Sequence, residues 1–327
     1  MRGAAFLRGQ WFPISLILVI VLAGLWPKYS DALSVAGWPR WAAIMLIFFL
    51  SGLGMPARES LRGLANWRLH LGVQGFSYIA IPLLTWIAVH PFTSSLPEGL
   101  VMGFYLLAIL PTTISMCVVL TSLSKGNVSG SLFNAISGNL AGVIISPALL
   151  ILLTGSAAIQ IEINVPRIIV KLLILTVLPL ALGQALRLVG RERVAPLQEK
   201  ASIVTRMCIL FIVYSSLGSV FIAFSETDVA PHHLSPLILL LPIHLALLWI
   251  SWWLGRILNY SREDRISFLF CAPQKTLALA FPIIEAVAEN RPDLIGMAAL
   301  PIIAYHAIQL MAGSVVSDRL TRVKSHG

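Results

Sequence analysis

Apolar residues run along this chain in long blocks separated by short polar stretches. Ten blocks can be drawn: Trp11–Trp26, Trp41–Pro56, Leu69–His90, Gly99–Leu123, Val128–Thr154, Ile168–Leu188, Ile203–Phe224, Leu237–Leu258, Ile266–Ala288 and Leu294–Val316. Most have the length of a helix that crosses the hydrocarbon core, about 20 residues. They lack the roughly 10-residue in-out alternation of an outer-membrane barrel. Only helices and closed barrels satisfy their own backbone in lipid. The pattern therefore predicts an all-α polytopic membrane protein of ten transmembrane helices. Arg2 and Arg8 ahead of an apolar run would also open a signal peptide. No small-x-small cleavage site follows, so the first block is expected to stay as a membrane helix.

Polar residues inside the blocks carry the chemistry. In block 4, Pro111 is followed by Thr112, Thr113 and Ser115; in block 9, Pro273 is followed by Gln274, Lys275 and Thr276. A mid-helix proline loses a hydrogen bond and clashes with the preceding turn. Polar residues directly after it suit a helix that breaks at mid-membrane and uses its freed groups to hold a solute. A kink repaired by hydroxyls is the plainer reading, and at Pro111 alone it is the better one. At Pro273 it does not account for a lysine. A lysine at the bilayer centre costs at least roughly 2.5–3.5 kcal/mol on insertion scales.

No acid is placed to offset it. The carboxylates fall in or near loops, and the deepest, Glu285, is ten residues on. That is roughly 15 Å along a helix. Backbone carbonyls, a helix C-terminus, a wet cavity, a bound anion or snorkelling to the headgroups remain. Other candidates at similar depth are Ser77 beside Gln74, Ser131 and Asn134 in block 5, and His306 with Gln309 one turn apart in block 10. For the small residues of block 5, helix packing is the commoner role.

Composition agrees with a membrane chain: 57% hydrophobic and 11% charged, with a net charge of +9. That charge does not indicate nucleic acid, because the basic residues flank the blocks. Of 23 Lys and Arg, only Lys28, Arg40, Arg167, Lys171 and Arg291 fall on one side, Lys275 is within a block, and the rest share the other side with both termini. The positive-inside bias places the termini in the cytoplasm. The cysteines Cys117, Cys208 and Cys271 have neither pairing nor metal spacing, and no nucleotide or catalytic motif is present, so an enzyme is not expected. Five blocks per half, 1–155 and 156–327, invite an inverted repeat. Pro82 and Pro111 in one half match Pro242 and Pro273 in the other.

The stretches "LSKGNVSGSLFNAISGNLAGVIISPALL", "FCAPQKTLALAFPII" and "IGMAALPIIAYHAIQLM" resemble the bile acid:sodium symporter superfamily, in particular its SBF-like bacterial branch, related to the seventh bile-acid carrier type. The resemblance implies two inverted five-helix repeats, a panel of spans 1, 2, 6 and 7, and a core of spans 3–5 and 8–10. Spans 4 and 9 would be broken and cross. It implies sodium ligands too, but the usual glutamate falls at Phe270, the span 3 glutamine near Ser77, and one span 5 ligand near Ala135. Ser131 and Gln274 are the positions kept. The expectation is a carrier for a small organic anion, embedded in the bilayer and coupled to sodium or a proton, or with Lys275 in place of the cation. A sodium symporter with rearranged ligands and a non-transporting membrane regulator stand as alternatives. Substrate identity and oligomeric state are not encoded in these motifs.

Overall fold

Helix is the outcome wherever the apolar blocks run. The computed structural model describes residues 11–35, 37–54, 62–156, 164–190, 195–226, 231–287 and 293–322, and no strand occurs among them. Arg2, Arg8 and Arg291, with the block ends Pro56 and Ala288, lie outside the described residues. The α-helices are α1 (Trp11–Leu25), α2 (Pro27–Val35), α3 (Trp38–Gly54), α4 (Trp67–Gly75), α5 (Ile81–Val89), α6 (Glu98–Ile109), α7 (Ile114–Leu123) and α8 (Val128–Ser156). They continue with α9 (Val165–Leu172), α10 (Leu178–Gly190), α11 (Ala195–Glu226), α12 (Leu240–Ile257), α13 (Arg262–Cys271), α14 (Leu277–Val287) and α15 (Asp293–Arg322). Six described helical segments are long and apolar enough to cross a membrane, and eight if each bent pair is one span. Their outward positions are apolar, as lipid requires: Ile79 is 69% exposed and Leu152 68%.

Two features differ from the block reading. Residues 27–35, assigned to an outer loop, form α2, which turns 105° from α1. Ser30 anchors it by donating from Oγ to the Tyr214 carbonyl. Helix α3 begins at Trp38, three residues early, so Arg40 is a buried helical residue and not a loop cation. At the turn between α7 and α8, which the blocks leave unspecified, the left-handed residue is Lys125, with φ 57°. Gly126 is needed for space: a Cβ there would lie 2.6 Å from Ile266 Cγ2. Asn127 caps α8, its Oδ1 accepting from Gly130 N–H.

Packing brings α3 against α10 and α11, and α11 against α1 and α2. The closest approach uses Gly52 and Gly183, where a Cβ would strike the carbonyls of Leu180 and Phe49. Such small residues let membrane helices approach backbone to backbone. A second group joins α6 to α15, α12 to α13 and α15, and α7 to α8, α13 and α15.

Two breaks in helical chain meet in this second group. Helix α6 ends at Ile109, Leu110 is extended (φ −66°, ψ 145°), and α7 resumes at Ile114 with a 53° change of direction. Helix α13 ends at Cys271 and α14 starts at Leu277. The two join directly, Thr276 N–H donating to the Pro111 carbonyl at 2.8 Å.

Candidate functional site: a lysine cage behind a polar-lined cavity

Non-helical backbone inside an apolar protein must find partners for its polar groups. The stretch 110–113 finds them in neighbours. Asn139 Nδ2 donates to the Thr112 carbonyl, and Ser146 Oγ to that of Ile109. Thr113 Oγ1 accepts from Cys117 N–H, capping α7, and donates to Gln274 Oε1 at 2.8 Å. The stretch 272–276 is held by α15. Gln309 Oε1 accepts from Lys275 N–H at 2.8 Å, Gln309 Nε2 donates to the Lys275 carbonyl at 2.7 Å, and Tyr305 OH donates to the Pro273 carbonyl. His244 Nδ1 in turn donates to Tyr305 OH.

The Lys275 side chain stays inside, 2% exposed, and does not snorkel. Its Nζ donates to the carbonyls of Ala108 and Leu110 at 2.8 Å, to the Ser77 carbonyl at 3.0 Å and to Ser77 Oγ at 3.1 Å. Each acceptor has a structural reason. Ala108 and Leu110 sit at the C-terminal end of α6, where carbonyls lack intrahelical donors and the helix dipole is negative. Ser77 lies in a π turn, Phe76–Ala80, where Ile81 N–H bonds to the Phe76 carbonyl. The next donor in that register is residue 82, a proline with no N–H. The Ser77 carbonyl is therefore released, and the lysine takes it. No carboxylate among the described residues pairs with Lys275; Glu285 is engaged by Arg40 at 2.9 Å and Lys171 at 3.9 Å.

In front of the crossing lies a cavity of about 410 Å³. Thr113, Ser115, Thr276 and His306 line it, with Ser51, Thr205 and Arg206 from α3 and α11 and an apolar wall that includes Ile47, Phe48 and Leu132. It extends to Gly54 at the end of α3 and Val128 at the start of α8. The first turns of both α7 and α14 form part of its wall. Helix N-termini present free N–H groups and positive dipole ends. Among the described residues that line it, none is a carboxylate.

The structure thus brings together Ser77, Pro111, Thr113, Pro273, Gln274, Lys275, Thr276, His306 and Gln309. Thr112 joins by its carbonyl, while its Oγ1 is buried with no hydrogen-bond partner among the described residues. Ser131 and Asn134 are used otherwise: Ser131 Oγ meets Thr121 Oγ1, and Asn134 bonds to Gly130 and Gln74 within the α4–α8 contact. Three contributors carry little signal in the sequence: Arg206 fits the topology rule, Tyr305 sits in an apolar block, and Asn139 lies in a run of small residues.

The chain matches the SBF-like CPA transporter family over residues 10–322. It is 28% identical over 325 residues to sodium/bile acid cotransporter 7 of Danio rerio, covering 95% of this chain and 94% of the relative. It is 27% identical over 321 residues to sodium/bile acid cotransporter 7-B of Xenopus laevis, covering 95% and 91%. With PA2026, an uncharacterized protein of Pseudomonas aeruginosa, identity is 31% over 317 residues, covering 95% and 92%. A membrane chain of many apolar helices with this match along nearly its whole length belongs to the SBF-like CPA transporter family, of the bile acid:sodium symporter type.

Proposed function

We propose that this protein is a secondary transporter of a small organic anion, working by alternating access and carrying its own fixed cation, Lys275, at the crossing. One observation carries the reading. Two helix N-termini and Arg206 line a cavity with no carboxylate among its described residues, while the nearby lysine is held by three carbonyls and the Ser77 hydroxyl. Positive dipole ends aimed at a solute from discontinuous membrane helices favour an anionic solute. The carbonyls of Ser77, Ala108 and Leu110 form the kind of oxygen cage that holds a small cation, and the lysine amine fills it. Ser131 and Gln274, the positions where the resemblance keeps sodium ligands, spend their side chains on Thr121 and Thr113.

In this reading the ten spans are α1–α2, α3, α4–α5, α6/α7, α8, α9–α10, α11, α12, α13/α14 and α15. Residues 1–155 and 156–327 are inverted repeats. Spans 1, 2, 6 and 7 form a panel against which the remaining spans move, and both termini lie in the cytoplasm of a bacterial cell with the chain in its inner membrane. The cavity then faces the cytoplasm. The opposite face is shut by Glu285 of α14, which Arg40 and Lys171 grip from the panel and to which Trp41 Nε1 donates.

The test is uptake into proteoliposomes with taurocholate and phenyl sulfate as probes, measured with sodium or potassium as the sole outer cation. The reading predicts accumulation that is inhibited by other organic anions and indifferent to the cation. Uptake only with sodium supports a sodium-coupled symporter instead, and no flux or ligand-induced stabilisation with either probe supports a regulator.

A further inference from the structure

His306 occupies an unusual position in the cavity wall. Gln309 pairs both ends of its amide with the Lys275 backbone, which fixes which end is nitrogen. The second hydrogen on Nε2 points to His306 Nδ1 at 2.9 Å. Nδ1 is therefore the acceptor, and the neutral ring carries its proton on Nε2. That Nε2–H is buried and has no partner among the described residues, and His306 itself is only 6% exposed. A buried donor left unmade is costly, and a site containing one discriminates strongly between ligands that fill it and ligands that do not. On the same cavity, the Arg206 guanidinium lies 5.4 Å from the Trp11 ring centre and 5.8 Å from that of Phe12. It has no carboxylate partner among the described residues. The Phe12 ring stands edge-on to His306 at 6.3 Å, so one aromatic ring separates the two polar groups.

We propose that the ligand of this cavity is a two-ended anion: its anionic group meets Arg206, and a second hydrogen-bond acceptor on the same molecule receives the Nε2–H of His306. This rests on the anion-transport reading and adds to it a chemical class, an acid with an apolar body and a distal carbonyl or hydroxyl. His306 is the specificity-determining residue. Because Gln309 links its ring to the Lys275 backbone, the same contact reports occupancy to the chain break.

The experiment compares straight-chain carboxylates from octanoate to dodecanoate with their distal oxo derivatives, by thermal shift and competition binding on the whole protein in nanodiscs. At the best-fitting length, the oxo acid should bind about tenfold tighter than the plain acid, the worth of one hydrogen bond. His306→Phe should bring that ratio close to one, whatever it does to the absolute affinity for the plain acid. His306→Gln, which keeps a donor, should retain part of the ratio and guards against a folding artefact. Arg206→Gln should weaken both acids equally. A ratio near one in the wild type, or an undiminished ratio in folded His306→Phe, overturns the proposal and leaves anion transport standing. If no acid of either series binds, the anion reading falls and the proposal falls with it.

Discussion

The Lys275 amine has three protons to give and four oxygens within 3.1 Å. Removing it leaves three buried carbonyls without donors, at about 1–3 kcal/mol each. Lys275→Met should therefore lower the melting temperature and abolish anion uptake; a variant that transports at the wild-type rate contradicts the role given to the charge. Thr113 serves two partners with one hydroxyl, as α7 cap and as donor to Gln274. Thr113→Val should cost about 0.5–2 kcal/mol from the cap alone, whereas Thr113→Ser keeps both bonds and should stay close to wild type in chemical denaturation.

At the scale of elements, the release of the Ser77 carbonyl depends on Pro82 closing a π turn without an N–H. Pro82→Ala offers an N–H that competes with Lys275 for that oxygen. The expected result is slower uptake with α4 and α5 still helical by circular dichroism; unchanged uptake would show that Ala108 and Leu110 suffice. The breaks at Pro111 and Pro273 were legible because each proline is followed by residues that can bond to chain outside a helix. The partners of Lys275 were not. A search for acids finds none, and carbonyls leave no trace in sequence because every residue has one. Arg206 was hidden for a related reason: a basic residue near the end of an apolar block satisfies the topology rule before its neighbours are known. Tyr305 was invisible because its ring fits an apolar block, and its hydroxyl matters only once the Pro273 carbonyl is left free.

At the scale of the molecule, the transport reading has the cavity open to one side of the membrane and the pairing of Glu285 with Arg40 and Lys171 close the other. Arg40 is 4% exposed, so this is a buried pair joining α3 to α14. Breaking such a pair by removing one partner costs about 3–5 kcal/mol, enough to invert a two-state equilibrium. Glu285→Gln should shift the protein away from the cavity-open state. With the native cysteines replaced, a cysteine at Ser115 should then react more slowly with a maleimide added from the cavity side. An unchanged labelling rate would separate the ion pair from gating. Removing Glu285 also strands Arg40, so the exchange Arg40→Glu with Glu285→Arg should recover part of the labelling.

The central claim is that the lysine amine stands where a carrier of this kind would otherwise need a small cation. A sodium titration of thermal stability, with choline chloride holding ionic strength constant, tests it most directly on the wild type and Lys275→Ala. The account predicts no sodium dependence in the wild type and a saturable, sodium-specific stabilisation in Lys275→Ala, whose emptied carbonyl cage can accept the ion. Saturable stabilisation of the wild type by sodium, or none in a folded Lys275→Ala, would contradict it.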